Sequence, residues 1–170
     1  MDDAYLGGER HGGKRGRGSP GKTPFVAAVE TTDDGKPRRA KLRRVKRFSK
    51  IEIKRLADRT IRPSSRVITD GLGCFTGIAA AGAAHPPRRI GPLLRSEKMP
   101  QFKWVNTVLG DIKSAITGTY RAVRSHAGRT LAEFEYRFNR RFDLAKMMPR
   151  LAYAAVRTLP MPYRLLILTE

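Results

Sequence analysis

Only one of the 170 residues, Cys74, is a cysteine. A lone thiol excludes an internal disulfide framework and any cysteine-based zinc site within the chain. Histidine is nearly as sparse. His11, His85 and His126 are scattered, so a histidine-only metal site is not expected, and surface or loop positions are the simpler reading. No apolar run approaches the ~18 residues that a membrane span needs. The longest, such as Ile78 to Ala84, are short and alanine-rich. The N-terminus is acidic and polar and has no apolar stretch of the secretory type. The expectation is a soluble, cytoplasmic chain with no membrane partner.

Acids are scarce too, and that scarcity shapes the reading. Asp and Glu total 15 against 35 Lys and Arg, a formal net charge of +20. Such a chain repels itself unless polyanions are near, and nucleic acid is the obvious one, because basic side chains release counterions condensed on phosphates. A merely basic, ribosomal-type surface is the plainer alternative. Apolar residues make up 40%, enough for a core, and the length suits one domain.

Along the chain, residues 2–6 read as the end of a strand, followed by a glycine- and arginine-rich loop from Gly7 to Thr23. Phe25 to Thr31 reads as a strand, Asp34-Gly35 as a hairpin turn, and Ala40 to Phe48 as a second, basic strand. Ser49-Lys50-Ile51-Glu52 fits a capping box that starts a helix running to about Arg59. Arg66 to Gly71 is a short buried strand ending in Asp-Gly, with a short alanine-rich helix from Phe75 to Ala81, then a strand and loop from His85 to Leu94. Val105, Leu109, Ile112 and Ile116 form the apolar stripe of a helix that extends to about Val123. A second helix covers Thr130 to Phe142, and a third begins near Pro149 and ends before Pro160. The alternation of strands and helices predicts an α/β layered fold.

Gly16 to Thr23 satisfies the phosphate-loop expression G-x-x-x-x-G-K-T. That loop works only between a buried strand and a helix whose terminal amides cradle phosphate. Here a polar, glycine-rich stretch precedes it, and Pro24 and a strand follow. A basic loop lying along DNA phosphates, or a plain Gly/Arg linker, fits better.

In so basic a chain, acids at strand ends stand out. Asp2 lies at the first strand fragment and Asp70 ends the strand of Val67 to Thr69. Two such carboxylates on neighbouring strands can converge on Mg²⁺ or Mn²⁺, hard cations that prefer oxygen, although Asp-Gly after a strand is also an ordinary turn. On the helix from Val105, the residues Asn106, Gly110, Lys113 and Thr117 form a second stripe about 100° from the apolar one. Asn106 can ligate a metal or orient a phosphate, and Lys113 can neutralise a phosphate. A solvated polar face is the simpler alternative. Asp111 lies about 140° round the helix from Asn106 and is poorly placed to replace it.

Several motifs, in order, carry a resemblance. They are Asp2-Asp3-Ala4-Tyr5-Leu6-Gly7-Gly8 with its loop ending Gly21-Lys22-Thr23; Ile68-Thr69-Asp70-Gly71; Trp104 to Lys113; Gly118-Thr119-Tyr120; and Glu133 to Arg141. Over about residues 2–142 the chain resembles the bacterial insertion-sequence transposases of the family numbered fifteen-ninety-five, whose catalytic domain is called ISXO-two-like. The resemblance implies a ribonuclease-H-like mixed sheet flanked by helices. It also implies cleavage and strand transfer of insertion-sequence ends, dependent on Mg²⁺ or Mn²⁺.

The family's pattern of Asp, Asp, then Asn, Glu or His, then Lys falls on Asp2, Asp70, Asn106 and Lys113, the first three as metal ligands. Strand alternation puts Asp2 and Asp3 on opposite faces, so only one of them is expected to be a ligand. Arg15, Arg17, Lys22, Arg140 and Arg141 are candidate contacts to the DNA backbone. The implied partners are double-stranded transposon ends and target DNA in a bacterial nucleoid, engaged by homo-oligomers, as is common for transposases. The family's usual zinc ribbon and helical DNA-binding segment are missing before Asp2. The expectation is therefore a catalytic domain at 1–142 with a truncated first strand, a helical tail at 143–170, and the possibility of an inactive remnant. The rival reading is a non-catalytic basic nucleic-acid-binding protein, indifferent to metal.

Overall fold

The computed structural model describes residues 1–7, 21–86, 99–118 and 126–164. Three strands, β1 (Asp2–Leu6), β2 (Thr23–Thr31) and β3 (Pro37–Arg44), form an antiparallel sheet in the order β1-β2-β3. All five residues of β1 are in register with β2, from Asp2 opposite Ala27 to Leu6 opposite Thr23. The sheet was expected to be mixed. Among the described residues its ladder is antiparallel throughout, and parallel character is confined to a single bridge between Arg66 and Ala84. The expected strand at 66–71 is correspondingly reduced to that bridge and to one bond from the Met1 nitrogen to the Ile68 carbonyl, 2.9 Å. That bond nevertheless holds the segment ending at Asp70 at the head of β1.

Alternation sorts the strand side chains to two faces, and each face has its own helices. Ala4, Leu6, Phe25, Ala27 and Leu42 pack with Phe102, Val105, Val108, Leu109 and Ile112 of helix α2 (Lys103–Gly118) and its entry, and with Ala127 and Leu131 of α3 (Ala127–Asn139). On the other face Val26 and Val45 meet Ile53 and Ala57 of α1 (Lys50–Thr60), and Cys74, Phe75 and Ile78 of a 3₁₀ segment at Gly73–Ala81. The predicted capping of α1 is present, with the Ser49 hydroxyl accepting from the Glu52 amide at 3.3 Å. The expected alanine-rich helix is a 3₁₀ segment. It runs so close to α1 that a Cβ on Gly77 would collide with the Lys50 carbonyl. Helix α4 (Met147–Arg157) follows a turn at Leu144–Lys146 and buries none of its residues. Residues 87–94 of the expected strand and loop lie outside the described residues.

The outer edge of β3 is closed by side chains of α3. Asn139 accepts from the Ala40 amide at 2.7 Å and donates to the Ala40 carbonyl at 3.0 Å. Glu135, one helical turn earlier, accepts from the Leu42 amide at 3.0 Å, and the same carboxylate pairs with Lys41 at 2.8 Å and Arg43 at 2.9 Å. The match is geometric: four helical residues rise about 6 Å, close to the roughly 6.7 Å spanned by two strand residues. Arg141 extends the closure by donating to the Pro37 and Phe138 carbonyls.

Asn139→Ala would leave both polar groups of Ala40 unpaired beneath α3. Such losses run to about 1–3 kcal/mol, so the urea midpoint should fall at constant slope. Arg137→Ala, which removes only an exposed pair with Glu133, should shift it little. Equal losses in the two variants would show that the edge closure contributes nothing particular.

Candidate metal centre and catalytic site

The site grows out of the free edge of β1. Asp2 shares its face with Ala4 and Leu6, whereas Asp3 and Tyr5 point to the other face. Asp70 lies beyond the edge, at the end of the segment that Met1 holds through Ile68. Carboxylate oxygens of Asp2, Asp3 and Asp70 all lie within 4.8 Å of one another. Alternation fixes the directions of the Cβ atoms, but Asp70 sits beside the strand, where side chains from both faces can reach it. Asp3 therefore joins the group from which alternation alone would exclude it.

The turn that presents Asp70 is tightly specified. Its Oδ1 accepts from the Leu72 amide at 3.1 Å, and Gly71 adopts φ of 83°, a left-handed conformation suited to glycine. The Thr69 side chain is fully buried, and its hydroxyl lies 2.9 Å from His85 Nε2. Burial lowers the His85 pKa, which keeps the ring neutral near pH 7. Thr69 entered the sequence reading only within the motif Ile68 to Gly71, and His85 only as a scattered histidine expected at a surface or loop position, so their pairing was not foreseen.

Gathering acids in one place has an electrostatic consequence. Burial, reinforced by the charges of Asp70 and Asp3, raises the Asp2 pKa to about 6, against the opposing hydrogen bond from the Asp3 amide. A cation among these oxygens would relieve that repulsion, and an all-oxygen donor set suits Mg²⁺ or Mn²⁺. Nearby, α2 packs over β1 and β2 through Val105 and Leu109. Asn106, next to Val105, has a buried Nδ2 with no hydrogen-bond partner among the described residues. A carboxamide can turn to offer Oδ1 in place of Nδ2, so this orphaned group suits a ligand or phosphate contact. The residues present thus fit a divalent cation.

The remaining candidates are more dispersed. Lys113 is exposed on α2, two turns (about 10 Å) beyond Asn106. Asp111 is exposed. Lys22 is half-buried, with its side chain against Gly7, and Arg15 and Arg17 lie outside the described residues. Arg140 stacks on Tyr136 with its guanidinium carbon 3.9 Å from the ring centre. Arg141 stacks on Phe138 at 4.0 Å while it donates to backbone carbonyls, so part of its donor capacity serves the fold.

Because the folded-state pKa of Asp2 lies above its ordinary value of 3.8, the protonated form is favoured by folding. The stabilisation is fully present below that ordinary value and is lost as pH rises through about 6. Without metal, Asp2→Asn should therefore be more stable than the parent at pH 7 by on the order of 2 kcal/mol, and the difference should vanish near pH 4. A pH-independent difference in thermal or urea unfolding would refute this assignment.

Comparison with known proteins bears on what such a cluster does. The family described as ISXO2-like transposase domain, of the DDE type, matches residues 1–139. No curated protein and no solved structure matches the chain. The match runs from the carboxylate pair at the start of β1 through Asp70 and all of α2 to the edge-closing Asn139, and the chain belongs to the ISXO2-like DDE transposase family.

Proposed function

We propose that this chain cleaves DNA at insertion-sequence ends and joins the freed ends to target duplex by divalent-metal-dependent phosphoryl transfer. The observation that supports this reading best is the meeting of Asp2, Asp3 and Asp70 within 4.8 Å in a chain with 35 basic and 15 acidic residues. Acids so outnumbered, yet brought together against their own repulsion, are a costly arrangement without a cation to receive.

In this reading Asp2, Asp70 and Asn106 are the ligands, and Asp3 is a further carboxylate at the same centre. When bound, Mg²⁺ or Mn²⁺ would lower the pKa of a nucleophilic water or 3′-hydroxyl and neutralise charge on the phosphate in transit. The chain supplies placement. The Gly71 turn and the buried Thr69 fix Asp70, and β2 holds Asp2. Lys113 steadies a phosphate near the reacting group. Arg15, Arg17, Lys22, Arg140 and Arg141 contact the DNA backbone, Arg141 with whatever donors its carbonyl bonds leave free. Helices on both faces of the sheet, with the 66–70 segment beside β1, support a ribonuclease-H-like arrangement for residues 1–142, with 143–170 as a helical tail.

Asp70→Asn should abolish Mg²⁺-dependent cleavage and joining of a duplex carrying the element's ends, while leaving its affinity for DNA in chelator within about twofold. Cleavage that survives in Asp70→Asn would remove the metal assignment. Metal-independent binding with no cleavage by the parent would favour a non-catalytic basic binder.

A further inference from the structure

The basic side chains are not equivalent once their partners are counted. Lys41 and Arg43 share Glu135, Lys54 pairs with Asp58 at 2.8 Å, and Arg55 pairs with Glu52 at 3.3 Å. Lys46, Arg47 and Lys50 have no ion pair among the described residues, and all three are exposed. They cluster where β3 turns into α1. There Lys46, Arg47, Ser49, Ile51, Glu52 and Arg55 line an open concavity of about 440 Å³. Glu52 is already neutralised by Arg55, so the concavity is net positive. Ile51, 64% exposed, gives its rim an apolar surface.

The concavity is linked to the carboxylate cluster. Tyr5 shares a face of β1 with Asp3, and its ring meets Phe48 edge-on with centroids 5.2 Å apart. Phe48 lies between Arg47 and Ser49, so one aromatic contact connects the cations to the strand that bears Asp2 and Asp3.

We propose that the β3–α1 concavity, through Lys46 and Arg47 of its lining and the exposed Lys50 at the start of α1, is a docking surface for the phosphate backbone of duplex DNA. This rests on the proposed function and adds to it residues outside the motifs that carry the resemblance. The contacts are to phosphate, so they set affinity and register without reading bases. Each phosphate neutralised contributes about 0.9 to the slope of log affinity against log salt.

The test uses the full chain and a labelled duplex of arbitrary sequence, titrated in chelator across a salt series. The triple variant Lys46→Gln/Arg47→Gln/Lys50→Gln should bind at least tenfold more weakly at ~0.1 M salt, with a slope smaller by about 2 to 3. A control with the same loss of charge, Arg150→Gln/Arg157→Gln/Arg164→Gln, should lose less than threefold. An unchanged first variant, or a control that weakens as much, would overturn the proposal. The stabilisation of each variant by Mn²⁺, read as a shift in Tm, should match that of the parent and reports separately on the carboxylates. Loss of the docking surface with parental cleavage intact leaves the transposase reading standing. A parent that binds through this surface but never cleaves removes the catalytic reading and leaves the surface.

Discussion

A three-stranded sheet buried on both faces still has two edges, and each edge carries unpaired amides and carbonyls that cannot be left dry. The two edges are met by different means, and the rest of the molecule follows from that difference. At β3 the partners are side chains, Glu135 and Asn139, which hold α3 against the strand. At the head of β1 the contact is a single bond from the Met1 nitrogen to the Ile68 carbonyl of the segment that ends in Asp70. That bond holds the segment that carries Asp70 at the head of β1, where its carboxylate meets those of Asp2 and Asp3.

Electrostatics then divides the surface into zones. Acids are too few to neutralise the cations generally, and they are used in two ways. Some quench particular bases, as Glu135 does for Lys41 and Arg43, while Asp2, Asp3 and Asp70 are concentrated where burial, and after it repulsion, raises the pKa of Asp2. What remains at the start of α1 is unquenched positive charge next to concentrated negative charge. A phosphate brought up to the negative pole itself would meet repulsion that a bound cation would remove.

Much of this was legible in the sequence. The 3.6-residue stripe of Val105, Leu109 and Ile112, the Ser49 cap and the Asp34-Gly35 turn are local signals, and they appear where periodicity and capping chemistry put them. The convergence of Asp2 and Asp70 was inferred from strand ends and from the family motifs. What stayed hidden was non-local. The segment at 66–70 makes one isolated parallel bridge, Arg66 to Ala84, and one bond to Met1, too few to be a strand. Asp3 was set aside by an alternation rule that holds for Cβ atoms but not for flexible carboxylates beside an open edge. Glu135 and Asn139 entered only within the motif Glu133 to Arg141, and nothing in their spacing reveals that the neighbour is a strand's backbone.

That last pairing has a consequence for how the two elements can vary. Asn139 and Glu135 address main-chain atoms, which every residue but proline presents alike. The side chains at 40 and 42 are therefore answerable only to the core beneath them, and the exposed position 39 to almost nothing. Beyond the ion pairs of Lys41 and Arg43 with Glu135, the burden of recognition falls on the helix: β3 can drift at 39, 40 and 42 and keep its seat, while a change at 139 in α3 strips both polar groups of Ala40 of their partner.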